Sequence, residues 1–391
     1  MTTIAILGGG YAGLRAARKL AHAKVGARII LINRNPYHYQ STQLHQLAAG
    51  TKEPADVCFS IREAAPAGVD VVVDEVERVD RNARRVLLKS HQPIDYDYLL
   101  NALGFESETF GIEGAEENSL PLVDVDTAMA ARRHLEETLA RYRASGDELD
   151  LHIVVCGAGF TSIEYLGELV HRLPRLAKEH GFPMEKVRID CIEAADKILP
   201  MFEPGLAAWA TDYLSKRGVH FHTSTPITAI RPGQVVSNGT AFPANTIIWT
   251  TGVKGSSVIP ASGYDSKRNR VVVQDDLSVE GDHREFLIGD VSAVPDPSSG
   301  RLYPTTAQIS VAQADCAAAN VAALLAGRPT RKFSFKSVGT VCSLGPYAGV
   351  AQIDYLGHWK LKGLIVGAVK KVVNDRSVLE LAGLRTVLGN N

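Results

Sequence analysis

Two short stretches constrain the fold more than anything else in this chain. "TIAILGGGYAGL" stands near its start and "HIVVCGAGFTSI" lies well inside it; each is an apolar, β-branched run that ends in glycines one residue apart and continues with helical periodicity. Strand, glycine turn and helix are the first half of a βαβ unit that holds a dinucleotide. A pyrophosphate has to approach backbone N–H groups at a helix N-terminus, where the helix dipole favours an anion and a side chain would hold it away. Gly8 then makes the tight turn, Gly10 admits the phosphates and Gly13 lets helix and strand close up. In the second stretch Gly157 and Gly159 take the first two places, and the small residue Ser162 takes the third.

The rest of the chain falls into order around these turns. After the first comes a helix over Leu14 to Ala23, a strand over Ala27 to Ile32, short strands between 69 and 89, and a buried strand in "YLLNALG". One long helix from Asp124 to Ser145 closes at Gly146, and the scheme restarts: strand 151–156, helix 160–180, strand 187–193, helix 203–217, strand 219–222. "EFLIGDVSA" brings the chain back to a strand, a helix runs from about Thr306 to Leu325, and the last part is mixed, with strands near 333–353 and a partly basic amphipathic tail. The fold class expected is α/β, with two Rossmann-like dinucleotide-binding domains and a small mixed C-terminal domain. Residues 1–115 and 265–330 would form the first domain, 116–264 the second and 331–391 the third.

Two cradles imply two dinucleotides, and the common reason for that pairing is a flavin that takes electrons from a nicotinamide. The residue ending the second strand of each unit should reach the ribose. In the second unit it is Glu193, followed by Ala194 and Ala195 with no arginine near, so a 2′-phosphate would meet a like charge; NADH is expected over NADPH. In the first unit it is Asn33, a neutral hydrogen-bonder, followed by Arg34, a planar cation able to stack on adenine. Asp290 in "FLIGDVSA" is placed to accept from ribityl or ribose hydroxyls. "PTTAQ" opens the next helix at Thr306, Ala307 and Gln308, whose N-terminus would stabilise an anionic reduced flavin. Tyr11, Ala12, Val76, Ala102 and Gly104 complete the expected flavin set. Thr161 and Gly252 complete the nicotinamide set.

Charge and cysteines exclude much else. Lys plus Arg number 42 against 43 for Asp plus Glu, which gives no case for nucleic acid. No run is long and apolar enough to span a membrane, and no export signal precedes Thr3, so the chain is expected to be cytoplasmic, with any membrane association peripheral. The five cysteines show neither zinc spacing nor a C-x-x-C pair.

"GGGYAGL", "NRNPYHYQSTQLHQLAAGT", "ALGFESETFGIEG", "GAGFTSIEYLGEL", "FLIGDVSA", "PTTAQ" and "GTVCSLG" together resemble the type II NADH dehydrogenases, the single-chain NADH:quinone oxidoreductases that pump no protons. The resemblance implies the fold of glutathione reductase relatives, a tightly held non-covalent FAD in the first domain and NADH as substrate in the second. It also implies hydride transfer to the flavin and two-electron reduction of a quinone. A seat on the inner face of the cell membrane through the C-terminal domain, as a homodimer, comes with it. The family's glutamate in the second glycine motif falls on Glu164, which in relatives lies between the nicotinamide and quinone sites, with a structural role as the alternative. Its quinone motif begins with Ala307 and Gln308, but its second glutamine is here Ala312, with Gln313 next on a different face, and Ser310 replaces an alanine. The family's C-terminal lysine matches Lys370 or Lys371, and the terminal basic cluster is missing from "LELAGLRTVLGNN".

The thiol routes of related flavoproteins do not fit. There is no C-x-x-x-x-C pair, "QSTQ" at 40–43 holds no redox cysteine, and Cys156 precedes the second turn while Cys342 has no evident partner. A soluble flavin reductase serving a protein electron carrier remains an alternative, as does a flavin redox sensor of the apoptosis-inducing-factor kind. His38 and His45 could shuttle protons or serve as packed hydrogen-bonders.

Overall fold

The computed structural model describes residues 1–354 and 357–382, and the terminal stretch from residue 383, where the family's basic cluster is missing from the sequence, lies outside them, as does the side chain of Lys371. In the first unit, β1 (Thr3–Leu7) leads through the glycine turn into α1 (Tyr11–His22), then β2 (Arg28–Asn33), a short helix α2 (Leu44–Ala49), β3 (Val69–Val73) and β4 (Tyr98–Asn101). Helix α3 (Val125–Ser145) crosses to the second unit. There β5 (Leu120–Pro121), β6 (His152–Cys156), α4 (Phe160–His180), β7 (Arg188–Ile192), α5 (Pro204–Ser215), β8 (Val219–His222) and β9 (Thr246–Trp249) follow. The chain returns through β10 (Ser278–Val279) and β11 (Asp282–Leu287) to α6 (Ala307–Leu325). It finishes with the antiparallel strands β12 (Gly339–Ser343), β13 (Gly349–Ile353) and β14 (Trp359–Lys362) and helix α7 (Leu364–Ala382).

Both large sheets have the same plan. The first runs β10-β11-β4-β1-β2-β3 and the second β5-β9-β6-β7-β8. In each, the strand before the glycine turn is flanked by the next strand on one side and by a later, returning strand on the other, all parallel. Fully parallel strands need apolar side chains on both faces, and Ile4–Leu7, Ile29–Ile32, Ile153–Cys156 and Ile247–Trp249 are all buried. The reversal of strand order beside β1 and β6 opens a crevice at the strands' carboxyl ends, where α/β sheets bind ligands. The expected α/β architecture with two dinucleotide-type halves is the one observed.

Boundaries differ where periodicity cannot see chain direction. Helix α1 starts at Tyr11, directly on Gly10, instead of at Leu14, because the turn closes with an N–H of Leu14 donating to Gly10 O at 3.1 Å. The strand in "YLLNALG" stops at Asn101, and Gly104 turns the chain at φ +76°. In the C-terminal part the first strand begins at Gly339, later than the pattern suggests, and β14 joins the sheet.

Candidate active site

The two glycine turns have nearly the same backbone. Gly8 and Gly157 sit at φ +93° and +99°, a region that side chains rarely tolerate. Their N–H groups donate to Ile32 O at 2.8 Å and Ile192 O at 2.7 Å. One residue on, Gly9 N donates to Asn33 Oδ1 at 2.8 Å, and Ala158 N donates to Glu193 Oε2 at 2.7 Å. Neither following helix receives a side-chain cap, whereas α3 is capped by Asp124 and α6 by Thr306. The first N–H groups of a helix have no partner within it, so α1 and α4 present theirs to whatever enters the turn.

Gly8, Gly10, Tyr11, Ala12, Asn33, Arg34, Val76, Ala102, Gly104 and Asp290 all line one continuous cleft. It runs from the turn after β1 past the ends of β2 and β4 to the loop after β11. Gly13 lies beneath it, with an added Cβ falling 1.8 Å from Gly8 O. Asn33, expected at a ribose, lies in the cleft wall and also shapes the turn, since Oδ1 takes the Gly9 N–H and Nδ2 donates to Asn35 O and Tyr37 O. Arg34 is more than half exposed and 3.4 Å from Asp124.

Asp290 is a half-buried carboxyl of the cleft, whose lining also includes the buried Asp74. Burial pushes its pKa up to about 6, against the pull of Arg270. The turn that presents it is fixed by Gln313, whose Oε1 accepts from Gly289 N at 2.6 Å and from Ser292 Oγ at 3.1 Å. The glutamine read as facing away from the family's position is therefore an internal brace. Thr306 caps α6 through Ile309 N, and Ser310 in the first turns of that helix reaches the cleft wall.

Behind this wall the structure brings Glu164 and Lys370 together. Lys370 Nζ donates to Glu164 Oε1 at 2.5 Å, and Ser343 donates to the same oxygen from its backbone N at 3.0 Å. Burial would push the Glu164 carboxyl up, but Lys370 and the Ser343 N–H outweigh it and hold it below its ordinary value. His45 Nδ1 lies 3.5 Å from the other oxygen, and burial lowers that imidazole to about 3, leaving it neutral. Close backbone contact puts Ser343 there: a Cβ on Gly167 of α4 would meet the Leu344 backbone at 2.5 Å, so only glycine lets β12 dock on the helix.

Gln308 does not join this pair. It is exposed, and its Nε2 donates to Gly339 O at 3.1 Å, at the opposite end of the same strand. An exposed first-turn position on α6 faces the strand and leaves the buried side to Ile309 and Ser310.

In the second unit Gly157, Gly159 and Thr161 form the turn and first helical residues. Glu193 uses both oxygens on backbone, accepting from Ala158 N and Ala195 N. Gly252 follows the end of β9, where the ring of Phe110 fills the space a Cβ would take. Ser343, Gln313, Thr250 and Glu168 were not singled out from sequence as site residues. Only the "GTVCSLG" motif pointed toward the first of them. All five cysteines are free thiols, and burial pushes those of Cys156, Cys191 and Cys342 upward, away from the thiolate form.

Residues 2–314 match the model of the pyridine nucleotide-disulphide oxidoreductase family. The chain is 42% identical over 391 aligned positions to a type II NADH:quinone oxidoreductase of Staphylococcus epidermidis, covering 97% of this chain and 96% of that one. It is 40% identical to the Staphylococcus aureus protein of the same name, over the same shares. Among solved structures it is similar to NDH2 from Plasmodium falciparum in complex with NADH, with a TM-score of 0.85 at 17% identity over 97% of this chain and 96% of that one. It is also similar to the sulfide:quinone oxidoreductase of Aquifex aeolicus, with a TM-score of 0.81 at 20% identity over 98% and 92%. Those two structural likenesses speak for the fold alone. With a family match over most of its length and relatives above 40% identity along nearly all of it, the chain belongs to the pyridine nucleotide-disulphide oxidoreductases and, among them, to the type II NADH:quinone oxidoreductases.

Proposed function

We propose that this chain oxidises NADH through a non-covalently held FAD and delivers the two electrons to a membrane quinone. Two uncapped helix N-termini behind matching glycine turns, in a chain 42% identical to a named NADH:quinone oxidoreductase, carry the reading. The long cleft behind Gly8 suits the flavin nucleotide, with Asp290 toward its hydroxyls and Arg34 toward its adenine. The turn behind Gly157 suits NADH, with Glu193 beside the ribose. When bound, the flavin supplies the electron relay, taking a hydride from NADH and giving electrons to the acceptor. The residues around it bind, orient and exclude water.

The Glu164–Lys370 pair holds charge and protons where the quinone ring would lie. Ser310 and Gln308 on α6 connect the cleft to the strand that carries Ser343. On this reading residues 1–115 and 265–330 hold the flavin, 116–264 hold NADH, and 331–391 seat the protein on the inner membrane face and pair two copies. No helix among the described residues is long and apolar enough to cross a membrane, and α7 exposes Leu364, Ile365, Val372 and Val373, which suits a peripheral seat. The test is anaerobic reduction of the yellow protein by NADH, followed by mixing with a menaquinone analogue. Rapid reoxidation is expected, and a flavin that stays reduced would overturn the quinone assignment.

A further inference from the structure

Resting on that reading, the stoichiometry leaves one proton unaccounted for by the residues so far described. NADH gives one hydride, which is two electrons with one proton, whereas a quinol needs two electrons and two protons: NADH + H⁺ + quinone gives NAD⁺ + quinol. The second proton comes from water and must reach a buried carboxylate, Glu164, which is 7% exposed.

One turn further along α4, on the same face, stands a second buried carboxyl, Glu168, only 3% exposed. Residues four apart on a helix bring their Cβ atoms to about 5–6 Å. The two acids are treated differently. Glu164 is bonded to a cation and a backbone N–H. Glu168 accepts from the neutral amide of Gln46 at 3.3 Å and interacts with the Thr51 hydroxyl. Burial, with the neighbouring Glu164 charge adding to it, keeps Glu168 above the ordinary carboxylate range despite the hydrogen bonds of Thr51 and Gln46 and the more distant Lys370. A pair of acids pushed apart in this way divides into proton donor and acceptor. The outer end of the path is open, since Thr51 is exposed and Gln46 half-buried on the loop and helix α2 packed against α4. His45, the other titratable neighbour of Glu164, is neutral and holds no proton to give beyond its own ring N–H. Arg172, one turn beyond Glu168, is engaged with Glu136 and Glu179.

We infer that Glu168 relays the solvent proton of quinone reduction, taking it from water at the Thr51 loop and passing it to Glu164. In each turnover the O–H bond on the Glu168 carboxyl breaks and one forms on a Glu164 oxygen. Glu164 then yields the proton to the quinol oxygen, Glu168 is reprotonated from water, and neither residue changes oxidation state. Glu168 acts through Glu164 and touches no substrate, so it is a positioning residue.

The test uses the flavin-loaded full chain, wild type against Glu168→Gln and Glu168→Asp, in anaerobic stopped flow across a pH series. General acid groups contribute roughly 10²-fold or more, so Glu168→Gln should slow reoxidation by a menaquinone analogue by about that factor. Wild-type reoxidation should fall as pH rises through the raised pKa of Glu168, since the protonated acid is the donor, and the Gln variant should lose that dependence. Aspartate should restore part of the rate. Reduction by NADH, and reoxidation by ferricyanide, which takes electrons without protons, should stay within about two-fold of wild type. An unchanged quinone step, or equal losses with quinone and ferricyanide, overturns the relay. If Glu168→Gln does not fold, Gln46→Leu and Thr51→Val probe the same path from outside, and a full quinone rate in both overturns it. A wild-type protein that reduces ferricyanide but no quinone overturns the functional reading as well.

Discussion

The two glycine turns share a backbone and differ in what surrounds it. In both, a strand-end side chain accepts the N–H of the residue between the glycines, but in the first it is the neutral amide of Asn33 and in the second the carboxylate of Glu193. At the third position the first has Gly13, pressed on the carbonyl of Gly8, and the second has Ser162, whose Oγ lies 2.7 Å from Thr250 Oγ1. Thr250 already donates to Cys156 O, so Ser162 is the donor in that pair. The helix of the first unit thus closes directly on its turn, and that of the second stands off by a side chain and is tied by a polar bridge. The first turn thus carries a neutral rim over a close-packed glycine, and the second a charged rim over a hydrogen-bonded serine.

The sharpest way to break this comparison is to exchange the third positions. Gly13→Ser places a Cβ where the Gly8 carbonyl stands and neither backbone can yield, which should cost roughly 3 kcal/mol or more. The purified variant should be colourless, as read from flavin absorbance per chain. Normal yellow protein would show that the first turn is no tighter than the second. Next in size is the rim. Glu193→Gln keeps one acceptor for Ala158 N or Ala195 N but removes the charge, and discrimination of NADH from NADPH in kcat/KM should shrink by at least about tenfold, or ~1.4 kcal/mol. An unchanged ratio would mean that the carboxylate only braces the turn, as Asn33 does.

Much of this was legible in the residues. Strand, glycine turn and helix follow from the apolar runs and glycine spacing, because the chemistry of a phosphate cradle leaves few substitutes for glycine. Glu164, Lys370 and Asp290 were also named in advance, the first two through resemblance to a family. What stayed hidden depends on packing between distant segments. That Gln313 braces the Asp290 loop and that Gln308 faces β12 follow from how β11, α6 and β12 meet, and that Asn33 spends its amide on the turn follows from how the end of β2 folds over Gly9. Glu168 escaped notice for the same reason: a glutamate at helical spacing looks solvated until the Thr51 loop covers it.

A third experiment asks whether the first cradle answers to pH. Asp290 has no counterpart at the second turn among the residues described above, and its carboxyl titrates near 6 because desolvation raises it. Flavin hydroxyls donating to it would favour the charged form. A group protonated below about 6 must then release its proton for the ligand to bind, so affinity should fall as pH drops through 6, by up to about tenfold per unit. Asp290→Asn should flatten that dependence and weaken binding at neutral pH. FAD titration of the stripped protein at several pH values measures both, and a wild-type affinity that does not change between neutral pH and 5 would remove Asp290 from the contact set.

The smallest effect belongs to the reverse exchange, Ser162→Gly. It deletes one buried hydrogen bond, worth about 0.5–1.5 kcal/mol, and adds a glycine to a helix, which costs roughly 0.5–1 kcal/mol in an interior and less near the N-terminus, where Ser162 sits. Thr250 keeps its bond to Cys156 O, so no donor is stranded. A loss of about 1–2 kcal/mol is expected, seen as a modest fall in the thermal midpoint, with full flavin content. The asymmetry is the point: adding a hydroxymethyl group to the first turn should expel the flavin, and removing one from the second should leave it in place. Equal damage from the two changes would mean that α1 and α4 meet their turns in the same way after all, and that the gap Ser162 fills is incidental.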